Sequence, residues 1–380
     1  MLLNSLNINN LRNHIESDIT LEPKINIFYG KNGSGKTTIL EAISILSISK
    51  SFLPTIDSSL ISSGKNYYNL TTKASNDLGV PYRINIKYNG SGRKVINSSY
   101  GDNLLPKNII GEIPIVILSP DHKTITFGGP QDRRQFIDSV LSQSSKIFIE
   151  EALKSKKYLK QRNAILTSNL KERKIDKKLF EAITELFILS SAEVVHRRSK
   201  FIHDFKLFFL DTYKRISDEN EEVDLVYIAN TLNENIFSHV LEKNDIIESY
   251  QKKYERICDK EFQRGITLFG PQKDDLEITI GNKTARDAAS QGQHKSLLLS
   301  LKLAEFDYLR NIKNETPIFM LDDIFSELDS ERSHNINKIV NDIDCQTFIT
   351  ITNRDKFNAF RHVSSNVSYY KIVKGIVRKE

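Results

Sequence analysis

A glycine-rich octapeptide between an apolar run and a helical stretch most constrains the fold of this chain. Residues 30–37 read Gly-Lys-Asn-Gly-Ser-Gly-Lys-Thr and match the pattern G-x-x-x-x-G-K-[ST], directly after the apolar residues 25–29. Such glycines let backbone amides converge on phosphate groups, and the N-terminus of the following helix adds partial positive charge. We therefore expect a phosphate-binding loop made of Gly30, Lys31, Asn32, Gly33, Ser34, Gly35, Lys36, Thr37 and Thr38.

Two side chains of this loop are expected to have separate tasks. The Lys36 ammonium should reach the β- and γ-phosphates of ATP and take part in catalysis, and the Thr37 hydroxyl should hold Mg²⁺. A glycine-rich turn without a ligand is the alternative. The strand pattern before the loop and the helical pattern after it favour the phosphate-binding interpretation.

Two aspartates end a second apolar run, in which residues 318–321 are Ile-Phe-Met-Leu and Asp322 and Asp323 follow. Nucleotide hydrolases place a metal-binding aspartate beside the phosphate loop in this way. We predict that Asp322 binds Mg²⁺, directly or through water, and that Asp323 polarises the attacking water. Adjacent acidic residues after a strand can also form a solvated turn or a helix cap.

A polar turn precedes an apolar helical stretch about thirty residues before the aspartates. It reads Ser290-Gln291-Gly292-Gln293 and resembles the signature sequence of ABC-type ATPases. In that family the turn binds the γ-phosphate of an ATP held by the other subunit, which implies this role for Ser290, Gly292 and Gln293. Residues 326–329, Ser-Glu-Leu-Asp, resemble the D-loop at the same interface. An ordinary helix N-cap also explains the tetrapeptide.

The spacing of these motifs predicts an α/β fold in which an ABC-type ATPase head is split by a helical arm. Lys36 and Asp322 lie 286 residues apart, and residues 133–214 contain no proline or glycine and carry apolar residues at helical spacing. We predict three parts. Residues 1–130 and 265–380 form the N- and C-terminal parts of the head, and residues 131–264 form the arm.

The strand patterns predict that the head holds a mixed sheet with an antiparallel portion and flanking helices. Residues 82–88 alternate apolar and polar side chains up to the hairpin signal Asn89-Gly90. Residues 113–118 are a continuous apolar run, which predicts a central strand covered on both faces. Residues 266–269 and 276–280 predict further strands.

The composition bounds the class of protein. The chain has 380 residues, of which 39% are hydrophobic, enough for the cores of two or three domains. With 27% charged residues and no long apolar stretch, we expect neither a membrane span nor a secretory signal. Cys258 and Cys345 are too few for a disulfide framework or a zinc site. A cytoplasmic location is expected.

Positive charge is concentrated in one segment. The chain has a net charge of +6, and residues 146–215 alone contain 17 Lys or Arg against 9 Asp or Glu. Such side chains can neutralise nucleic-acid phosphates without regard to sequence. Solvated helix faces, or pairing of Arg133 and Arg134 with nearby acids, are the alternatives. The candidate DNA contacts are Arg133, Arg134, Lys154, Lys156, Lys157, Lys160 and Arg162.

Over essentially its whole length the sequence resembles the RecF family of bacterial recombination mediators. The matching segments include Asn-Leu-Arg-Asn at 10–13, Leu-Glu-Ala-Ile at 40–43, Ser-Pro-Asp at 119–121, Gly-Pro-Gln-Lys-Asp-Asp-Leu at 270–276, and the three motifs above. The sequence departs from the family where Ser34 replaces a usual Gln, Gln272-Lys273 a His-Arg pair, and His294-Lys295 a Gln-Arg pair.

The resemblance implies an ATPase that dimerises around two ATP molecules and binds DNA at gaps or single-strand/double-strand junctions. It further implies that the protein works with RecO and RecR to load a RecA-type recombinase, and that Arg12 contacts the nucleotide phosphates. We expect slow hydrolysis, because Asp323 is one methylene shorter than the glutamate of transporter ATPases.

Two other functions are compatible with the ATP motifs. One is a soluble ABC-type ATPase that serves a membrane transporter, although Ser119-Pro120-Asp121 stands where transporters carry a coupling glutamine. The other is a structural protein that binds nucleotide without hydrolysing it.

Overall fold

The computed structural model describes residues 1–172, 176–217, 221–230, 232, 240–324, 343–352 and 367–380. The chain forms two compact units. The first consists of residues 1–123 and 305–380, and the second of residues 124–304. No helix within the described ranges is both long and apolar enough to cross a bilayer.

The described part of the first unit is built mainly from strands, with helix α1 among them. Its elements before the second unit are β1 (Leu2–Leu11), β2 (His14–Thr20), β3 (Ile25–Tyr29), α1 (Lys36–Ile48), β4 (Tyr68–Ser75), β5 (Pro81–Tyr88), β6 (Val95–Ser98), α2 (Pro106–Ile109) and β7 (Ile115–Leu118). The elements of the second unit are α3 (Thr124–Phe127), α4 (Pro130–Ser144), α5 (Lys146–Glu172), α6 (Lys177–Ile216), β8 (Val223–Ile228), α7 (Lys243–Arg264), β9 (Asp275–Ile280), β10 (Lys283–Thr284), α8 (Ala285–Ala288) and α9 (Gln291–Lys313), whose last residues belong to the first unit. The first unit then continues with β11 (Ile318–Asp322), β12 (Thr347–Ile351), β13 (Val367–Val373) and β14 (Ile376–Lys379).

Two sheets organise the described part of the first unit. One is antiparallel, with the order β2-β1-β4-β5-β6. The other is mixed, with the order β14-β13-β3-β12-β11-β7, in which β14 alone runs antiparallel to its neighbour. The predicted α/β fold with a mixed sheet and an antiparallel portion is confirmed.

Helix α1 is buried on nearly every side because it packs against strands of both sheets. Ile39, Leu40, Ile43 and Leu46 belong to one core with side chains of the two sheets. A helix that is apolar all round is stable only in such a place. The loop that precedes α1 is therefore attached to a helix that is buried on nearly every side.

The prediction of a central strand at residues 113–118 is wrong in one respect. Within the described residues, β7 pairs only with β11 and lies at the edge of its sheet. All four of its residues are buried. A continuous apolar run indicates that both faces of a strand are covered, but it does not indicate whether both edges of the strand are paired.

The prediction of a strand at residues 266–269 is also wrong. These residues have no ladder in the structure, because side chains take their backbone amides instead. The Thr267 amide donates to Asn163 Oδ1 at 2.8 Å, and the Leu268 amide donates to Glu261 Oε1 at 2.6 Å. A short apolar run does not distinguish a strand from a buried irregular segment.

A fully buried arginine ties together three helices of the second unit. Arg162 on α5 has 0% exposure and donates from Nη2 to Glu261 Oε2 on α7 at 2.6 Å. Its other nitrogens donate to Thr184 Oγ1 on α6 at 3.0 Å and to Thr267 Oγ1 at 2.9 Å. The rings of Phe180, Tyr254 and Phe269 surround the guanidinium at 4.8 to 5.3 Å. Arg162 therefore supplies the counter-charge of Glu261 and joins it to Thr184 and Thr267.

We predict that Arg162→Ala strongly destabilises the second unit. The substitution leaves the Glu261 carboxylate buried without a counter-charge, which typically costs about 3 to 5 kcal/mol of unfolding free energy. Urea unfolding followed by circular dichroism measures the loss.

Lys160→Ala is the matched control, because Lys160 lies on the same helix and is exposed. We expect it to change the unfolding free energy by no more than about 0.5 kcal/mol. Equal stability of the two variants would contradict the structural role of Arg162.

Candidate nucleotide-binding site

The predicted phosphate-binding loop lies between β3 and the first residue of α1. Gly35 occupies the N-cap with φ of +112°, in the left-handed region that favours glycine. A Cβ at Gly35 would lie 2.5 Å from His14 Nε2, so no side chain fits there. The first amides of α1 lack intrahelical partners, and the helix N-terminus is a favourable place for an anion.

Lys36 lies with its side chain folded over the loop. Its Nζ donates to the carbonyl oxygens of Gly30 at 2.8 Å and Lys31 at 3.2 Å. Burial lowers the pKa of Lys36, while the carboxylates of Asp323 and Asp322 raise it. The ammonium is thus held at the loop, within electrostatic range of the two aspartates.

Thr37 and Asp322 meet in the structure although they are far apart in sequence. Thr37 Oγ1 donates to Asp322 Oδ1 at 2.9 Å, and Thr350 Oγ1 donates to the same oxygen at 2.8 Å. Asp322 and Thr350 are register partners on β11 and β12, and β12 pairs with β3, which leads into the loop. Burial raises the pKa of Asp322, and the two hydroxyl groups oppose that rise.

The donor set at this position fits Mg²⁺. A hydroxyl and a single carboxylate are hard oxygen ligands, and Mg²⁺ in nucleotide sites takes its remaining ligands from phosphates and water. Within the described residues no cluster of three or more His, Cys, Asp or Glu side chains offers an all-protein metal site. The metal roles of Thr37 and Asp322 remain predictions.

The backbone at Asp323 has an unusual conformation. Its φ is +48°, and its amide donates to Thr350 Oγ1 at 2.9 Å. Thr350 therefore bridges both aspartates, since the same hydroxyl oxygen donates to one and accepts from the other. The assignment of Asp323 to the attacking water remains a prediction.

Arg12 forms an ion pair beside the loop. Its Nη2 donates to Glu41 Oε1 at 2.8 Å, and Ser51 Oγ donates to the same oxygen at 2.7 Å. Glu41 is 1% exposed whereas Arg12 is 35% exposed. The guanidinium therefore keeps an accessible side near the loop, and its predicted contact with phosphates is untested.

Several residues of this site have no signal in the sequence. Thr350, His14 and Gly375 contact the aspartates or the loop but belong to no motif considered above, whereas Asn13, which also contacts the loop, lies in the matching segment at residues 10–13. Glu41, which pairs with Arg12, could have been placed near the loop from the sequence, because it follows Thr37 by four residues and so lies on the same helix face. Asn13, His14 and Gly375 meet the loop from turns between strands, and Thr350 meets the aspartates through the register of β11 and β12.

Ser290 and Gln293 open α9 with a reciprocal capping box. The Ser290 amide donates to Gln293 Oε1 at 2.6 Å, and the Gln293 amide donates to Ser290 Oγ at 3.2 Å. Gln293 Nε2 also donates to Glu221. Ser290 therefore does act as the N-cap of α9, as the alternative interpretation of the tetrapeptide expects. Contact of Ser290, Gly292 and Gln293 with a second subunit's nucleotide remains a prediction. Residues 326–329 lie outside the described residues.

The predicted DNA contacts divide into exposed lysines and buried arginines. Lys154, Lys156, Lys157 and Lys160 are exposed on α5. Lys154 Nζ donates to Glu151 Oε1 at 2.7 Å, which leaves the other three as the better candidates.

The prediction for the arginines needs correction. Arg162 is wrong as a DNA contact because it is fully buried. Arg133 is wrong for the same reason, since it is buried and donates to both carboxylate oxygens of Asp275 at 2.8 Å. Arg134 is half-buried and donates to the Asp274 carbonyl at 2.5 Å. Pairing with nearby acids, the alternative to DNA contact given in the sequence analysis, is what the structure shows for Arg133.

Comparison with known proteins agrees with this fold and this loop. A family model described as an AAA domain matches residues 5–344. The chain is therefore a member of the AAA-domain class, with a phosphate-binding loop and an aspartate-ended strand in one unit.

Relatives of known name narrow the class. The DNA replication and repair protein RecF of Chloroherpeton thalassium is 36% identical over 94% of this chain and 96% of that protein. Its counterpart from Phocaeicola vulgatus is 34% identical over 93% of this chain and 92% of that protein. The chain belongs to the RecF family.

Solved structures give the same result at the level of the fold. A structure of the recombination mediator protein RecF-ATP in the RecFOR pathway matches with a TM-score of 0.90 and 27% identity, covering 100% of this chain and 97% of that one. A crystal structure of the Smc head domain from Pyrococcus furiosus matches with a TM-score of 0.57 and 16% identity, covering 100% of this chain and 96% of that one. This match shows a shared fold alone.

Proposed function

We propose that this protein is an ATP-dependent, DNA-binding mediator of recombination and repair. Two copies would close around two ATP molecules, bind DNA at gaps or single-strand/double-strand junctions, and help RecO and RecR to load a RecA-type recombinase. The observation that carries the proposal is the contact of Thr37 with Asp322 at a formed phosphate loop, in a chain of the RecF family. A cytoplasmic location is part of the proposal.

ATP binding rests on the first unit. The amides of residues 35–37 would receive the phosphates, and the Lys36 ammonium would exchange the carbonyls of Gly30 and Lys31 for the β- and γ-phosphates. Mg²⁺ bound by Thr37 and Asp322 would neutralise charge that develops on those phosphates. Arg12 would add a further positive charge from its place on Glu41.

Hydrolysis rests on Asp323. Its carboxylate would accept a hydrogen bond from the attacking water, and its backbone is anchored by Thr350. We propose that turnover is slow, so that ATP acts as a timed switch for dimerisation. Ser290, Gly292 and Gln293 would meet the γ-phosphate held by the other copy.

The first prediction of the proposed function concerns Asp323→Asn. Asparagine tolerates the positive φ of this position, so the substitution removes the charge while the backbone is kept. Loss of a positioned base typically lowers a rate by about 100-fold or more, and we expect that effect on phosphate release. ATP-dependent dimerisation should persist.

Asp102→Asn is the matched control, because Asp102 is exposed. An unchanged rate of phosphate release in Asp323→Asn would mean that no chemistry passes through this carboxylate. It would then favour a protein that binds ATP without hydrolysing it.

The second prediction concerns Ser290→Arg. A large cation at the start of α9 should block approach of a second copy, so sedimentation velocity with ATP should show monomers. Lys36→Arg should also prevent dimerisation, because it disturbs ATP binding itself. Ser91→Arg, at an exposed turn, adds the same charge and should dimerise normally. ATP-dependent dimers of the Ser290→Arg protein would contradict the sandwich.

The third prediction concerns the lysines of α5. Each phosphate contact contributes a slope of about −0.9 to the dependence of log affinity on log salt for duplex DNA. Replacing Lys157 and Lys160 by alanine should weaken binding to a gapped duplex and reduce the salt slope by about 2. Gel-shift titrations over a range of salt concentrations measure both quantities.

The matched control replaces Lys65 and Lys73, two exposed lysines of the first unit, by alanine. It changes the net charge equally. If both double variants bind DNA alike, α5 is not the DNA surface. Absence of ATP-dependent DNA binding by the unaltered protein at every salt concentration would favour the transporter alternative.

A further inference from the structure

Three consecutive carbonyl oxygens of the phosphate loop are held from outside the loop. Asn13 Nδ2 donates to Gly33 O at 3.1 Å, the Gly375 amide donates to Ser34 O at 2.9 Å, and His14 Nε2 lies 2.9 Å from Gly35 O. The three partners come from two turns of the first unit. Asn13 and His14 lie where β1 turns into β2, and Gly375 lies between β13 and β14.

These contacts determine where the loop amides point. A trans peptide is planar, and its N–H is directed opposite to its C=O. Fixing the carbonyls of residues 33–35 towards the two turns therefore directs the amides of residues 34–36 to the other side. The Ser34 amide closes a turn onto Lys31 O at 3.1 Å. The amides of Gly35 and Lys36 then remain aimed away from the turns.

His14 is the most constrained of the three partners. Its side chain is fully buried, and its Nε2 faces a carbonyl oxygen, so this nitrogen must carry the hydrogen. Its Nδ1 lies 2.9 Å from Ser17 Oγ. Burial lowers the pKa of His14, and the bond to Gly35 opposes this. Hydrogen on Nε2 satisfies the contact with Gly35 O, and Ser17 Oγ, which lies against Nδ1, also donates to Gly375 O at 3.2 Å.

Gly375 is constrained by space. Its φ is +79°, and a Cβ there would lie 2.0 Å from the Asn13 carbonyl oxygen. The two turns that hold the loop are therefore packed directly against each other. A change in either turn should reach the loop.

We propose that Asn13, His14 and Gly375 are positioning residues that hold the loop in its phosphate-binding conformation before nucleotide arrives. The inference rests on the proposed binding of ATP by this loop. The three residues touch the loop from behind and act through its backbone, and a site that is formed in advance does not spend binding free energy on ordering.

Two substitutions, His14→Gln and His14→Asn, separate positioning from packing. The amide nitrogen of a glutamine side chain would lie close to the place of Nε2 and keep the bond to Gly35 O, whereas the shorter asparagine side chain would reach only the place of Nδ1. Because a neutral hydrogen bond contributes about 1 kcal/mol net, we expect His14→Asn to weaken ATP binding about fivefold. His14→Gln should restore most of the affinity, to within about twofold.

The measurement is calorimetric titration of the full-length protein with ATP and Mg²⁺, beside thermal unfolding of each variant. Thr72→Val is the control for general destabilisation. Thr72 is buried in the antiparallel sheet and donates to Ser5 O at 2.7 Å, so its loss should lower the Tm and leave ATP affinity unchanged. If His14→Asn does not fold, Asn13→Ala, at a half-buried position, should still weaken ATP binding a few-fold.

The outcomes separate the inference from the proposed function. Wild-type ATP affinity in His14→Asn, or equal weakening in both His14 variants, would overturn the positioning role. If the unaltered protein binds ATP but neither dimerises nor binds DNA, the proposed function fails while the His14 comparison still decides the inference. Absence of ATP binding by the unaltered protein would overturn both.

Discussion

The hydrogen bond from Thr37 to Asp322 is the interaction on which the rest of the first unit depends. It joins the start of α1 to the end of β11, and it exists because β3, β12 and β11 are adjacent and parallel. Parallel strands direct their carboxyl ends to one edge of a sheet, where ligands of open α/β folds bind. A chain interrupted by a whole second unit can therefore form one site.

The second unit shows why an excess of Lys and Arg in a sequence segment does not by itself locate a DNA-binding surface. Arg162 pairs with Glu261, Arg133 with Asp275, and Arg198 Nε donates to Asp138 Oδ1 at 2.9 Å. Arg162 and Arg198 belong to the positively charged segment 146–215, and Arg133 precedes it. All three are buried in contact with acidic residues. Long, planar guanidinium groups suit such interior pairs, whereas the α5 lysines remain at the surface.

The fold was largely predictable where periodicity or a motif was strong. The helical spacing after residue 133 corresponds to α4, α5 and α6, and the alternation at residues 82–88 corresponds to β5. The errors at residues 113–118 and 266–269 have a common cause. Hydrophobic pattern measures burial, while strand order and strand pairing depend on which partners the backbone amides find.

The sequence by itself determined the phosphate loop, the aspartate pair and the membership of an α/β class, because these follow from local glycine placement and apolar runs. Only the tertiary structure decided which side chains serve them. Thr350 and His14 reach the site through strand register and turn packing, and Arg162 and Arg133 are buried by the packing of the second unit. Contacts between residues on different elements of the chain leave no periodic trace in a single sequence, since their spacing is set by the packing of those elements and not by the helix or strand on which each residue lies.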